Sequence, residues 1–508
     1  MNKIQVHQPG QSQTISANPG QTIMSALLSH GIRIPTPCAG NGTCGKCAVK
    51  TQDGIVLACQ TTITNGMEIQ LQNPNEETIA ITDTYETVRP ITHNRHSGHG
   101  IAIDIGTTTL AFELINMATG KRIAVHSMPN SQRKLGADVI TRIKQATQGA
   151  QAELHAYILE DIRQGIAQTL KKSAIQPETI KHISIAGNTT MLHLLQNLPC
   201  NSLGVYPFTP VDIAIKHSNF TSIFGTTQPT HNLTPQLTIL PGISTFVGAD
   251  IVGGILCCHT PNTLAPNLLI DLGTNGEMAL FTQDRILVTS TAAGPAFEAG
   301  NISQGVAGIP GAIAKVRYSP ENNVFIYEAI ENAPPIGICG TGVLDIAAEL
   351  INHNLADETG AFTFETETGA EIAKGINFTQ KDMREIQLAK SAVRTGIEIL
   401  LDVGGYSYND VGKVYLAGGF GHKINMNSAV ALGLIPQALA GKVSAVGNTA
   451  LGGAAHVLLS PAAEADAIVI ANCAKEINLS THPRFNDLFI QHMMFEKVAK
   501  PLLTKDVR

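Results

Sequence analysis

The chain has 508 residues, 43% of them apolar and 15% charged, with a formal net charge of -6 and nine cysteines. That length exceeds what one hydrophobic core serves, so two or three domains are expected. No run approaches the ~18 apolar residues of a membrane helix, and without a basic run there is no electrostatic footprint for nucleic acid or anionic lipid.

Met1-Asn-Lys-Ile-Gln-Val-His7 passes straight into alternating polar and apolar residues with no apolar secretion segment, which reads as a chain of the reducing cytoplasm. Residues 3–7 alternate like a strand, and residues 13–16 like its hairpin partner. Residues 22–29 carry Ile23, Ala26 and Leu27 at helical spacing before Gly31. Cys47-Ala-Val-Lys-Thr51, Ile55-Val-Leu-Ala-Cys59 and Met67-Glu-Ile-Gln-Leu71 complete the expectation of a small sheet grasping one helix.

Between helix and third strand lies Cys38-Ala-Gly-Asn-Gly-Thr-Cys44-Gly-Lys-Cys47, whose glycines allow a tight, irregular wrap with backbone amides close to bound sulfur. With Cys59 the spacing is C-x5-C-x2-C-x11-C, and four thiolates from one loop and one nearby strand suit a 2Fe-2S cluster. Structural zinc is the competing account, although only Cys44 and Cys47 form the C-x2-C knuckle that zinc sites favour. The pattern resembles the ferredoxin family over roughly the first 80 residues, one residue longer in its first gap than the plant-type spacing. Cys200, Cys257, Cys258, Cys339 and Cys473 share no ligand spacing and are expected to be buried apolar thiols.

Residues 83–100 are polar, include Pro90, His93, His96 and His99, show no periodicity and read as a tether. Beyond it, Ile101-Ala-Ile-Asp104-Ile is a strand ending at Gly106-Thr107-Thr108-Thr109, followed by strands at 110–115 and 122–126. Leu268-Leu-Ile-Asp271-Leu repeats this plan with Gly273-Thr274-Asn275-Gly276 and strands at 277–281 and 286–290, which signals an internal duplication. Helical patterns follow at 153–172 and 383–402, and a late strand at 413–417 runs into Gly418-Gly419-Phe-Gly421. In such turns glycine lets amides point at phosphate, threonine hydroxyls add donors, and an aspartate at each strand end can hold a hydrated Mg2+ or orient a water.

The two Asp-x-Gly-Thr turns resemble the phosphate loops, and Leu416-Ala-Gly-Gly-Phe-Gly421 the adenosine loop, of the actin, heat-shock chaperone and sugar and acetate kinase superfamily. That resemblance implies two related lobes closing over ATP. The candidate catalytic carboxylates are Asp104, Asp271 and Glu298; the last, in Gly294-Pro-Ala-Phe-Glu298, has surface solvation as its rival account. Gly340 and Thr341 join the candidate nucleotide contacts, with a plain helix start as the alternative, and Asn188 is expected to cap a helix.

The order as a whole, including Thr291-Ala-Ala-Gly-Pro-Ala-Phe-Glu298 and a carboxyl-terminal stretch at 477–489, resembles the reductive activators of corrinoid enzymes. The resemblance implies a β-grasp ferredoxin domain (1–82, α+β), a linker (83–99) and a duplicated α/β, RNase H-like ATPase with lobes at 100–266 and 267–508. It implies a 2Fe-2S cluster, ATP and Mg2+, and one-electron return of inert Co(II) to Co(I). No Asp-x-His-x-x-Gly corrinoid signature is present, so the corrinoid is expected on a separate protein partner, with a further electron donor for the cluster. Longer relatives have an extra domain where this chain has a short linker, and a homodimer stays open. The competing readings are an activator of the 2-hydroxyacyl-CoA dehydratase type, a redox-sensing small-molecule kinase, and a ferredoxin fused to a nonhydrolysing lobe.

Overall fold

The computed structural model describes residues 2–8, 11–30, 32, 34, 47–52, 54–71, 85–86, 97–226, 230, 232–259, 264–419 and 424–496. Strands β1 (Asn2–Gln8), β2 (Gln11–Ala17), β3 (Ala48–Thr51), β4 (Gly54–Leu57) and β5 (Glu68–Gln70) form one sheet in the order β2-β1-β5-β3-β4. Helix α1 (Ile23–Ser29) starts where the Thr22 hydroxyl accepts from the Ser25 amide. Its Ile23, Ala26 and Leu27 are wholly buried against Ile4, Val6 and Ile69 of the sheet. This is the expected β-grasp, with one shift: Cys59 sits in the turn after β4 rather than within a strand.

The duplicated part holds two six-stranded sheets. The first contains β6 (His99–Ile105), β7 (Thr109–Asn116), β8 (Arg122–Pro129), β9 (Ile180–Gly187), β10 (Lys216–Asn219) and β11 (Gln236–Ile239), in the order β10-β11-β9-β6-β7-β8. Its helices are α2 (Val139–Gln145), α3 (Gln151–Ser173), α4 (Thr189–Leu195), the short α5 (Phe220–Phe224) and α6 (Ala249–Cys258).

The second sheet contains β12 (Asn267–Leu272), β13 (Gly276–Phe281) and β14 (Ile286–Thr291), with a side sheet from β15 (Ala312–Ser319), β16 (Val324–Ala329) and β17 (Gly337–Ile338) and a hairpin of β18 (Ala370–Ala373) and β19 (Ile376–Phe378). Strands β20 (Val414–Ala417), β21 (Val443–Gly447) and β22 (Ala474–Glu476) complete the order β21-β20-β12-β13-β14-β22. Laid over one another, β12, β13 and β14 repeat the antiparallel β6, β7 and β8, while β20 lies parallel to β12 as β9 does to β6.

Second-lobe helices are α7 (Gly340–Asn352), α8 (Gln380–Gly404), α9 (Met426–Ala431), α10 (Thr449–Leu459), α11 (Pro461–Cys473) and α12 (Phe485–Met493). Helix α8 begins with a reciprocal box between Thr379 and Asp382 and stops at Gly405, whose φ of 78° only glycine adopts without strain. The carboxyl-terminal α12 docks on it through Leu488, Leu479 and Ile399. Helices α6 and α10 pack together between the two sheets, so residues of both lobes share one core. Among the described residues no helix is long and apolar enough to cross a membrane.

The tether expectation needs correcting at both ends of its described part. His99 and Gly100 already belong to β6, and His99 Nδ1 lies 3.0 Å from the Thr179 hydroxyl. Tyr85 bridges to Gly447, and the Glu86 amide donates to Val446 O at 3.0 Å, so two residues of the linker extend the edge of the second-lobe sheet. Polar composition hid this because one aromatic ring suffices to anchor a segment. Pro90, His93 and His96 lie outside the described residues.

Candidate functional site

The cysteine loop is described at two of its four thiols, Cys47 and Cys59; Cys38 and Cys44 lie outside the described residues. The β3–β4 hairpin pairs Ala48 with Leu57 and so closes the eleven-residue gap, leaving the two buried Sγ atoms 3.2 Å apart. Two thiolates on one tetrahedral metal at about 2.3 Å would stand roughly 3.8 Å apart, so this pair fits half of a cluster's ligand set with a small adjustment. Gln60 Nε2 approaches Cys59 Sγ at 3.7 Å, a further polar contact to sulfur. Of the remaining cysteines, Cys200, Cys257, Cys258 and Cys339 are buried as expected, but Cys473 is exposed near the end of α11.

Asp104 and Asp271 are the penultimate residues of the duplicated strands β6 and β12, each of which runs into a turn closed by a glycine amide: Gly106 N donates to Thr109 O at 2.9 Å and Gly273 N to Asn275 O at 3.0 Å. Glycine is required at 106, where a Cβ would stand 2.7 Å from Thr109 O. It is required again at Gly418, with φ 89° and a Cβ that would lie 2.5 Å from Leu272 O and 2.7 Å from Asp271 Oδ1. The late glycine turn therefore presses its backbone directly on Asp271. Gly419 follows it, while Phe420 and Gly421 lie outside the described residues.

Bonds at this junction run from lobe to lobe. Asn448, which caps α10, donates from Nδ2 to Asp104 Oδ2 at 2.8 Å. The Thr274 hydroxyl donates to Glu298 Oε2 at 3.0 Å, and Thr108 of the first turn hydrogen-bonds the same carboxylate. Glu298 is exposed, and the two threonines hold its carboxylate between the turns. Asn188 caps α4 as expected, accepting from Met191 N at 3.0 Å, and its Nδ2 also donates to the Thr107 hydroxyl at 3.0 Å. At α7, the Thr341 hydroxyl donates to Ala314 O at 2.9 Å, and a Cβ on Gly342 would lie 2.2 Å from Ile313 O, so the helix start is fixed against β15. Gly340 is buried at the first position of that helix.

Two carboxylates join the site that motif reading missed: Asp250 in the first turn of α6, and Glu277 opposite Asp271 on β13. Burial, then Asn448 and Asp250 in opposite senses, sets the Asp104 carboxyl up at about 7; burial, Asp250, Asp104 and Glu298 push Asp271 to about 8. Both side chains are half-buried, so water at the junction relieves part of that push. Burial and Asp250 raise Glu277 well above the carboxylate range, which leaves it the proton donor of the Glu277–Asp250 hydrogen bond. Burial also raises Glu298, opposed by its threonine bonds, and its opening to solvent moderates the effect. Among the described residues no three His, Cys, Asp or Glu side chains converge to hold a metal ion.

Asp250 and Asn448 had a signal in the sequence. Gly248-Ala-Asp-Ile-Val-Gly253-Gly254 and Gly447-Asn-Thr-Ala-Leu-Gly452-Gly453 are one pattern used twice, at the starts of α6 and α10.

Family models match along the chain in this order: a 2Fe-2S iron-sulfur cluster binding domain over residues 10–74, the RACo middle region over 99–262, and the C-terminal domain of RACo, the ASKHA domain, over 265–504. The corrinoid activation enzyme RamQ of Eubacterium limosum is 33% identical over 425 residues, covering 78% of this chain and 70% of that protein. The [Co(II) methylated amine-specific corrinoid protein] reductase of Methanosarcina barkeri is 26% identical over 443 residues, covering 80% and 79%. A solved reductive activator for corrinoid,iron-sulfur protein superposes with a TM-score of 0.70 at 25% identity, over 97% of this chain and 98% of that one. The chain belongs to the family of reductive activators of corrinoid proteins, in which a 2Fe-2S ferredoxin domain is joined to an ASKHA domain.

Proposed function

We propose that this chain is a cytoplasmic, ATP-hydrolysing activase that delivers one electron to a corrinoid held on a separate protein, taking its cobalt from Co(II) to Co(I). The observation that most supports this reading is that both halves of the duplication bring an aspartate, Asp104 and Asp271, to a junction crossed by the Asn448–Asp104 and Thr108–Glu298 bonds. An occupant of that junction would change how the lobes sit against one another. The dehydratase-activator and kinase readings gain no support from RamQ or the methylated-amine reductase.

In this reading residues 1–82 carry the cluster, 83–98 join it to the lobes with Tyr85 and Glu86 anchored on β21, and 99–266 and 267–508 are the lobes. A 2Fe-2S cluster held by Cys38, Cys44, Cys47 and Cys59 would supply the single electron, at roughly -400 mV for a plant-type centre. The resemblance implies a Co(II)/Co(I) couple below that, and each ~59 mV of deficit costs about tenfold in a one-electron equilibrium. Unaided delivery would stall, which gives nucleotide its role.

Thr107, Thr108, Thr109, Gly273, Thr274 and Asn275 would offer amides and hydroxyls to the phosphates, with Gly340, Thr341, Gly418 and Gly419 toward the rest of the nucleotide. Asp104 and Asp271 would hold a hydrated Mg2+, and Glu298 with Asp250 would orient the attacking water. Closure around ATP would favour the complex with the corrinoid protein and an altered cobalt environment; hydrolysis and reopening would prevent return of the electron.

The test mixes reduced, full-length protein with a Co(II) corrinoid protein and follows the Co(I) absorption with and without Mg-ATP. Co(I) should form only with nucleotide, and D104A and D271A should abolish it while leaving the cluster spectrum intact. Equal Co(I) formation without ATP would remove the coupling, and isolation with zinc in place of iron and sulfide would remove the electron carrier.

A further inference from the structure

Beneath the first candidate phosphate turn lies a wholly buried guanidinium that the proposed function leaves without a role. Arg142 of α2 has no exposed surface, and its Nη2 donates to Thr107 O at 2.5 Å. Asn130, equally buried, donates from Nδ2 to Gly106 O at 2.9 Å and from its backbone N to Thr108 O at 2.9 Å. Three consecutive carbonyls of the turn are therefore held by Asn130 and Arg142. The one cis peptide among the described residues is Tyr206–Pro207, so the peptides of the turn are trans, and in a trans peptide the N–H points opposite to the carbonyl. The amides of Thr107, Thr108 and Thr109 accordingly each point away from the group that holds the preceding carbonyl, Asn130 for the first and last and Arg142 for the second.

Among the described residues the charge itself is poorly answered. Arg142 Nε donates to Gly136 O at 2.9 Å, and Nη1 lies 3.4 Å from Gln132 Oε1 and 3.0 Å from the Met191 thioether. Every one of these partners is neutral. Asp138 and Asp161 act on it only at longer range, and both are engaged elsewhere, since Asp138 accepts from the Thr141 amide at 2.8 Å and Asp161 from Ser131 N at 2.6 Å. Burial lowers the guanidinium to about 9, which still leaves it protonated at neutral pH. A buried cation held by dipoles alone is costly, and an anion laid on the far face of the turn would relieve that cost.

We infer that Arg142 is a positioning residue for phosphate: with Asn130 it turns the amides of residues 107–109 into an anion-binding nest, and its charge makes that nest selective for the polyphosphate over the nucleoside. The inference rests on the proposed ATP site and goes beyond it by assigning charge selectivity to a residue outside the turn.

The experiment titrates the full-length protein with ATP and, separately, with adenosine by calorimetry, in the wild type, R142M and R142K. R142M should weaken ATP at least tenfold while adenosine stays within about twofold, and R142K, which keeps charge but loses the fork, should fall between for ATP. A purely structural role would weaken both ligands by the same factor, and that result, or an unchanged ATP affinity in R142M, overturns the inference alone. If R142M does not fold, R142K carries the same comparison, with a several-fold loss for ATP and none for adenosine expected and equal losses overturning the assignment. A wild-type chain that binds no ATP ends the nucleotide reading and this inference with it.

Discussion

Asp104 and Asp271 hold their protons to about 7 and about 8 chiefly because burial disfavours the charged form, and crowding by other carboxylates adds to this at Asp271. The consequence for stability has a definite sign. Well below pH 3.8, folded and unfolded chains are both protonated at these sites and the groups contribute nothing. As pH rises toward 8 the unfolded state releases protons that the folded state retains, so stability falls across that window. A divalent cation, which binds the ionised form, should restore it at the upper end. Without magnesium, the wild-type melting temperature should therefore drop by a few degrees between about pH 5 and pH 8, and D271N should flatten the slope. Added Mg2+ should raise the wild type at pH 8 and hardly at all at pH 5. Parallel slopes for wild type and D271N would show that Asp271 is ionised throughout.

Helices α6 and α10 carry the duplication from sequence into packing. A Cβ on Gly453 would stand 2.2 Å from Gly253 Cα, so the two helices touch backbone to backbone. G453A gains up to about 1 kcal/mol of helix propensity but meets main chain that no rotamer change can move, an overpacking cost of about 1–3 kcal/mol. The clash should win, with a net loss of about 2 kcal/mol in urea unfolding followed by circular dichroism, the chain having no tryptophan to report by fluorescence. G441A, with nothing within 4 Å, should be neutral to within about 0.5 kcal/mol; equal losses in both would mean the helix contact is not tight. The same elements explain which features local sequence reveals. Strands β6 and β12 are legible because their apolar runs stop at Asp-x-Gly-Thr, and α8 because buried residues recur through Met383, Ile386, Val393 and Ile397. Glu277, Asn130 and Arg142 are not, because no local spacing marks them: each meets its partners on another element. Tyr85 is hidden in the same way, its environment supplied by residues 28 or more positions downstream.

At the scale of the molecule, Tyr85 ties the chain that follows the β-grasp module to both lobes. Its backbone pairs with Gly447 next to Asn448, its ring lies under the Arg122 guanidinium at 4.9 Å, and its hydroxyl feels the charge of the wholly buried Glu113, which is itself paired with Arg122. A Cβ on Gly452 would sit 2.8 Å from the ring, so α10 also closes on it. The anchor thus spans both lobes and adjoins the residue that holds Asp104. From covalent geometry, at ~3.5 Å per residue, residues 72–84 place the β-grasp module within about 50 Å of this anchor, and a chain released to residue 97 would reach about 90 Å. Y85F removes only the hydroxyl and should cost about 1–2 kcal/mol; Y85A also vacates the ring's site and should cost about 3 kcal/mol. Because release lengthens the reach without touching the cysteines or the aspartates, Y85A should keep both the cluster spectrum and ATP binding yet slow Co(I) formation. It should also broaden the distance distribution between a spin label on exposed Cys473 and the reduced cluster, measured by pulsed electron paramagnetic resonance. An unchanged distribution with a wild-type rate would mean that the segment is held elsewhere, and that the pairing with β21 is not what ties electron delivery to the state of the lobes.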